Sequence, residues 1–322
     1  AEIERLAPDG RDSRDRAAVL LRQGILAEIR GQPERALEHL RRSLDMYLRL
    51  TSEDSREVNG VLNSIAVTLA GQGKFAEALP YHRRVVDLAQ ARVGPDHPYV
   101  AHALDQLALT LADAGRPEEA IPLLERAVTI SESALGAQHR KTGDRLLNLG
   151  VAEARRSRHQ RALELYDRAL SIAEVTRGRD HPDIALFLNS IAYSRRHIGD
   201  ARGALAHLER ALASARVAEG RQALVANIET NLGIVLAALG RHDEAEQRFH
   251  SAVASWTAYA PRHPEFANTL VEYGQWLLGR ERRGEAIASL QRAVTLYDEI
   301  PADSVDPLRH DNARQLLERA KR

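Results

Sequence analysis

"GPDHPYVAHALDQLALTLADAGRPEEAIPLLERAV" occupies residues 94–128, and its reading decides the fold. Leu104, Leu107 and Leu111 recur at three- to four-residue spacing, which puts them on one face of a helix. Gly115 then marks a turn. "PEEAIPLLERAVTIS" follows with the same spacing and opens on proline, a residue suited to a first helical turn. Ala108 in the first helix and Ala120 in the second are small enough to let two backbones approach closely. The stretch predicts a pair of packed helices joined by a tight turn.

The same hairpin recurs along the whole chain. A small residue stands at Gly24, Ala66, Ala108, Gly150, Ala192, Gly233 and Gly274, with spacings of 42, 42, 42, 42, 41 and 41. Twelve residues after each comes alanine: Ala36, Ala78, Ala120, Ala162, Ala204, Ala245 and Ala286. Four residues before each comes leucine, at Leu20, Leu62, Leu104, Leu146, Leu188 and Leu270, with Glu229 the single departure. One hairpin cannot bury its own apolar face, whereas stacked neighbours bury a continuous core. Strand signals are absent, and leucine, alanine, arginine and glutamate are good helix formers. The expected fold is all-α: a right-handed superhelical solenoid of seven helix-turn-helix repeats with a C-terminal capping helix.

The register also gives boundaries. Residues 1–16 are expected to be a lead-in, the end of a preceding helix carrying Ile3 and Leu6, plus a loop. Seven repeats are expected at about 17–55, 56–98, 99–140, 141–182, 183–222, 223–264 and 265–300. Residues 301–322 are expected to form the capping helix, with Asp306 as N-cap and Pro307 as its first residue. The chain opens on Ala1 without an apolar leader and reads as a piece of a longer protein.

Composition narrows the function classes. Lys+Arg and Asp+Glu both number 45, so the formal net charge is +0. A neutral chain has no global attraction for nucleic acid or an anionic membrane. Aromatics make up only 4%, too few for base-stacking platforms. No stretch reaches the roughly 18 to 20 apolar residues of a helical membrane span. Cysteine is absent, which excludes disulfides, thiolate metal sites and cysteine nucleophiles, and suits a reducing cytoplasm.

Catalytic and metal signatures are missing. Histidines bind zinc on helices when they stand four apart with a third ligand nearby. His97 and His102 are five apart, His242 and His250 eight apart, and His159 stands alone in "RRSRHQR". The chain holds neither G-x-x-x-x-G-K-[ST] nor G-x-G-x-x-G, and "GQGK" at 71–74 is a turn between helices. No serine sits in G-x-S-x-G. The expectation is a non-enzyme with no cofactor and no metal.

The 42-residue period, with blocks such as "LNSIAVTLAGQGKFAEALPYHRRVV" (62–86), resembles the tetratricopeptide repeat, in its kinesin-light-chain-like subtype. The resemblance covers residues 17 to about 298. It implies a protein- or peptide-binding scaffold without catalysis. It further implies an interaction or regulatory module of a larger bacterial signalling protein, since bacterial relatives sit beside kinase, NTPase or protease domains. A structural spacer or oligomerisation module, and more remotely a nucleic-acid-binding helical repeat, are the alternatives. In isolation the chain is expected to be a cytoplasmic monomer.

First helices line the concave side of such a superhelix, and the subtype carries a Leu-Asn-Asn-Leu-Ala block there. Here it stands as "LNSIA" at 62–66 and 188–192, "LDQLA" at 104–108, "LLNLG" at 146–150 and "ETNLG" at 229–233, and no repeat carries both asparagines. An asparagine amide donates and accepts together, which suits an extended peptide backbone. The expected concave-face residues are Asn63, Asp105, Gln106, Asn148, Arg155, Asn189, Tyr193, Arg196 and Asn231. Residues 141–217 hold 14 Lys+Arg against 9 Asp+Glu, a local net of +5. With Arg155 and Arg196 near the groove, the expected partner is a protein or peptide, acidic ones included, because guanidinium forks suit carboxylates.

Asp-His-Pro recurs at 96–98 and 180–182, and His97, His139 and His181 are spaced by 42. A glycine ends the earlier helix and a proline begins the next. His97 and His181 are expected at or beside the cap, because proline pushes the preceding residue out of helical geometry. Asp96 and Asp180 are expected to bond orphan N–H groups or complement the helix dipole. His139 keeps its place without a following proline, so the histidine is expected to pack between repeats.

Overall fold

The computed structural model describes residues 12–300 and 307–322, and every regular element among them is an α-helix. The expected lead-in helix at Ile3 and Leu6 and the Asp306 cap lie outside the described residues. The chain divides into two compact units, Ala1–Ala137 and Gln138–Arg322.

The first unit holds three hairpins: α1 (Arg14–Ile29) with α2 (Pro33–Leu50), α3 (Arg56–Gly71) with α4 (Phe75–Val93), and α5 (Pro98–Asp113) with α6 (Pro117–Leu135). Local sequence sets the starts. The Ser13 hydroxyl accepts from the Arg16 N–H at 3.1 Å, and the Ser55 hydroxyl from the Val58 N–H at 3.2 Å. Pro33, Pro98 and Pro117 occupy first turns, where a missing N–H costs nothing. Gly94 ends α4 at φ 84, a conformation that penalises any side chain.

The second unit holds four hairpins: α7 (Arg140–Arg155) with α8 (His159–Arg177), α9 (Ile184–His197) with α10 (Ala201–Arg216), α11 (Gln222–Ala238) with α12 (His242–Tyr259), and α13 (Pro264–Gly279) with α14 (Arg283–Glu299). A last helix, α15 (Pro307–Lys321), packs on α14 and buries Ala313, Leu317 and Ala320. Its N-terminal half leaves Leu308 exposed, so one face remains in water as expected of a cap.

The small-residue register is the hinge of each hairpin. All seven alanines of the second helices are fully buried. The first-helix positions are as tight. A Cβ at Gly24 would lie 2.7 Å from the Leu40 side chain, at Gly150 2.4 Å from the Tyr166 ring, and at Gly274 2.7 Å from Leu290. The residue that presses on this position comes sixteen later: Leu40, His82, Leu124, Tyr166, Leu208, Phe249 and Leu290. All seven are buried, and six are apolar or aromatic. His82 is the exception and has no place in the sequence argument above. Burial pulls its imidazole down to about 4, with His102 adding to the effect.

Two expectations about Asp-His-Pro need correction. Neither Asp96 nor Asp180 bonds a helix N–H. His97 is at the cap as expected, and its ring is the capping group: Nδ1 of His97 accepts from the Tyr99 N–H, as His139 does from Lys141 and His263 from Glu265, each at 3.1 Å. His139 does not pack between repeats. It is exposed, and it persists because it is the N-cap of α7.

Candidate functional site

The sequence places its nine candidate residues on first helices, and the structure divides them between the units. Asn63 on α3 and Gln106 on α5 are half-buried, and Asp105 on α5 is buried. These three belong to the first unit. The other six belong to the second, on α7, α9 and α11.

Within the second unit the first helices lie side by side in chain order: α7 beside α9, α9 beside α11, α11 beside α13 and α13 beside α15. That order brings two pairs together. Asn231 on α11 donates from Nδ2 to Oδ1 of Asn189 on α9, 3.0 Å away. Both are half-buried. The bond consumes one donor and one acceptor, and leaves the Asn189 amide group and the Asn231 carbonyl oxygen without a protein partner among the described residues. Tyr193 and Arg196 form the second pair, with the guanidinium 5.5 Å from the phenol ring centre. Asn148 is half-buried on α7, and Arg155 is exposed as its last residue.

Two imidazoles join Tyr193 and Arg196. His159 begins α8 and His197 ends α9, and their rings stack at 4.5 Å with 6° between planes. Tyr193 lies 4.5 Å from the His197 ring. Burial holds the His197 imidazole down to about 4, helped by the positive Arg196 and by His159. His159 is lowered for the same first reason, with Arg196 adding. A neutral His197 therefore offers Nε2 as an acceptor to the Arg196 guanidinium at 3.1 Å. Beneath the cluster sits Tyr166, whose buried phenol is pushed well up and faces the Ser194 and Ser190 hydroxyls. His159 carries no register signal, since it stands at a helix start rather than on an inner face.

Glu272 on α13 completes the row. It occupies the register of Asn148 and Asn231, two residues before the small anchor, and was not among the nine. Burial pushes its carboxyl up, while Arg196 and Arg309 pull it partly back. It makes no hydrogen bond or ion pair among the described residues. Its register, shared with Gln106, Asn148 and Asn231, was the available signal.

Among the described residues no three His, Asp or Glu side chains converge as a metal site. None of the described helices is long and apolar enough to cross a membrane.

Consecutive helical hairpins at a 42-residue period, pinned by small residues, define a helical repeat protein. The tetratricopeptide repeat family matches residues 57–133, 144–216 and 224–299, and the chain belongs to that family. Its structural neighbours include kinesin-light-chain-like members. The crystal structure of BtubC (BKLC) from P. vanneervenii is 24% identical, with a TM-score of 0.60 over 70% of this chain and 91% of that one. A putative kinesin light chain from Podosopora anserina with nearly identical TPR-like repeats is 21% identical, with a TM-score of 0.54 over 65% of this chain and 98% of that one. The apo form of RapI is 13% identical, with a TM-score of 0.72 over 95% of this chain and 81% of that one. At these identities the likeness is one of fold. No curated protein matches the sequence.

Proposed function

We propose that this chain is a non-catalytic scaffold that binds a protein or peptide along the inner faces of its first helices. The observation that carries the reading is the Asn189–Asn231 pair. It presents one free donor and one free acceptor side by side, the pattern that a peptide bond of extended backbone needs. Family membership supports it, because stacked helical hairpins commonly bind along their repeated faces. Asn63, Asp105 and Gln106 are proposed to serve the same purpose in the first unit.

Arg155 and Arg196 are proposed to favour acidic segments of the partner. Tyr193 and a neutral His197 hold the Arg196 guanidinium without neutralising it, which suits a carboxylate. A place as the interaction module of a larger bacterial signalling protein in the cytoplasm fits this reading. The test is capture of partner by the chain and by Asn148→Ala and Asn189→Ala. Both substitutions are expected to reduce capture, and unchanged capture by both would remove the proposal. Arg155→Glu with Arg196→Glu is expected to abolish any preference for acidic partners.

A further inference from the structure

Arg196 and Glu272 belong to the first-helix row of the second unit, on α9 and α13, with α11, which carries Asn231, between these helices. Each is half-buried and neither is in an ion pair. Arg196 bonds a neutral imidazole and lies over an aromatic face, and among the described residues its buried Nε has no partner. Glu272 has no hydrogen bond. Arg309, the other cation near it, is already engaged with Glu265 at 3.3 Å. Half-buried charges without counterions are costly, and a folded surface normally pairs them or moves them into water. Here two opposite charges stand near enough for Arg196 to act on the Glu272 carboxyl and still form no ion pair among the described residues.

We infer that this face is a bipolar site for one extended peptide segment. Arg196 takes a carboxylate of the ligand, Glu272 takes an ammonium or guanidinium, and the ligand backbone lies along Asn189 and Asn231 between them. The inference rests on the scaffold reading above and adds to it a required basic side chain, a fixed order of charge, and hence a direction of the bound chain. Charge complementarity selects the occupant. A purely acidic segment satisfies Arg196 but buries a second carboxylate against Glu272, and a purely basic one does the reverse.

The probe is a phage-displayed library of random dodecapeptides, panned against the full chain, Glu272→Gln and Glu272→Arg. The parent is expected to enrich peptides carrying an acid and a base in one order at a fixed separation. Alanine replacement of the ligand base should weaken binding to the parent about tenfold and leave binding to Glu272→Gln unchanged. Glu272→Arg should select an acid where the parent selects a base, while keeping the acid that faces Arg196. Glu272→Gln keeps size and shape, so it remains informative if the charge reversal does not fold. Peptides of the same composition selected by all three proteins would overturn the bipolar site and leave the scaffold reading standing. Failure to enrich any peptide over background would overturn both.

Discussion

Glu229 stands in a leucine register and is 1% exposed. One carboxylate oxygen accepts from Arg216 at 2.8 Å and from the Ser251 hydroxyl at 2.9 Å. The other is buried with no partner. A buried carboxylate recovers its desolvation cost only when all its lone pairs are met, and here half are not. Arg216 is itself 53% exposed, so water screens the attraction. Glu229→Leu, which restores the residue of the other six repeats, should therefore stabilise the protein by about 1–4 kcal/mol. Arg216→Ala should destabilise it by about 1–3 kcal/mol, because the charge left behind has lost its counterion. Urea unfolding followed by circular dichroism measures both, as a midpoint shift at constant slope. A Glu229→Leu protein less stable than its parent would show that the ion pair outweighs its burial.

At the scale of the helix, the caps show what repetition makes readable. Asp-His-Pro is legible as punctuation because glycine, proline and the 42-residue period agree on where one helix ends and the next begins. Which atom caps is not legible. Asp96 lies one residue before the N-cap, out of frame for the N–H groups, while the His97 ring reaches forward to the Tyr99 N–H. Proline is dispensable for this, as His139 shows before Arg140. The acceptor is Nδ1, so the capping imidazole must be neutral, with its proton on Nε2. A protonated ring would lose the bond and place a cation at the positive end of the helix dipole. His139→Ala should cost about 1 kcal/mol at neutral pH, and His139→Asn should recover most of it. Thermal melting of the two variants checks this. Equal losses in both would mean that the ring packs rather than caps.

At the scale of the molecule, the fold was readable because every repeat solves the same packing problem with the same small residues. The candidate site was readable only in part. Asn189, Asn231, Tyr193, Arg196 and His197 follow from register, but His159 meets His197 from a helix start that the period does not connect to it. His82 was hidden for the opposite reason. It sits in register, sixteen residues after Ala66, in a place filled by Leu40, Leu124, Tyr166, Leu208, Phe249 and Leu290, yet a lone histidine among polar neighbours reads as surface. Its Nδ1 is buried without a partner. Burial lowers His82 in the first unit and His159, His197 and His263 in the second. Each is neutral when folded and protonates more readily when unfolded, so its stability is fully present above about pH 6.5 and drains as pH falls toward the folded value. Glu119, Asp200, Glu244 and Glu285 are all lowered, chiefly by hydrogen bonds, so their stability is lost only at lower pH, below about 4.5. The window from about pH 7.5 to about pH 4.5 therefore reports mainly the histidines, opposed by Glu272, whose raised carboxyl takes up its proton first in the folded state and so adds stability as pH falls. His82, down to about 4, should alone account for about 3 kcal/mol across it. Calorimetric melting should show a midpoint that falls steadily through this window. His82→Leu, the residue of four other repeats at this position, should raise the midpoint more at the acid end than at the neutral end. A His82→Leu protein with the parent's pH slope would show that His82 takes up its proton alike in both states and that the acid sensitivity arises elsewhere.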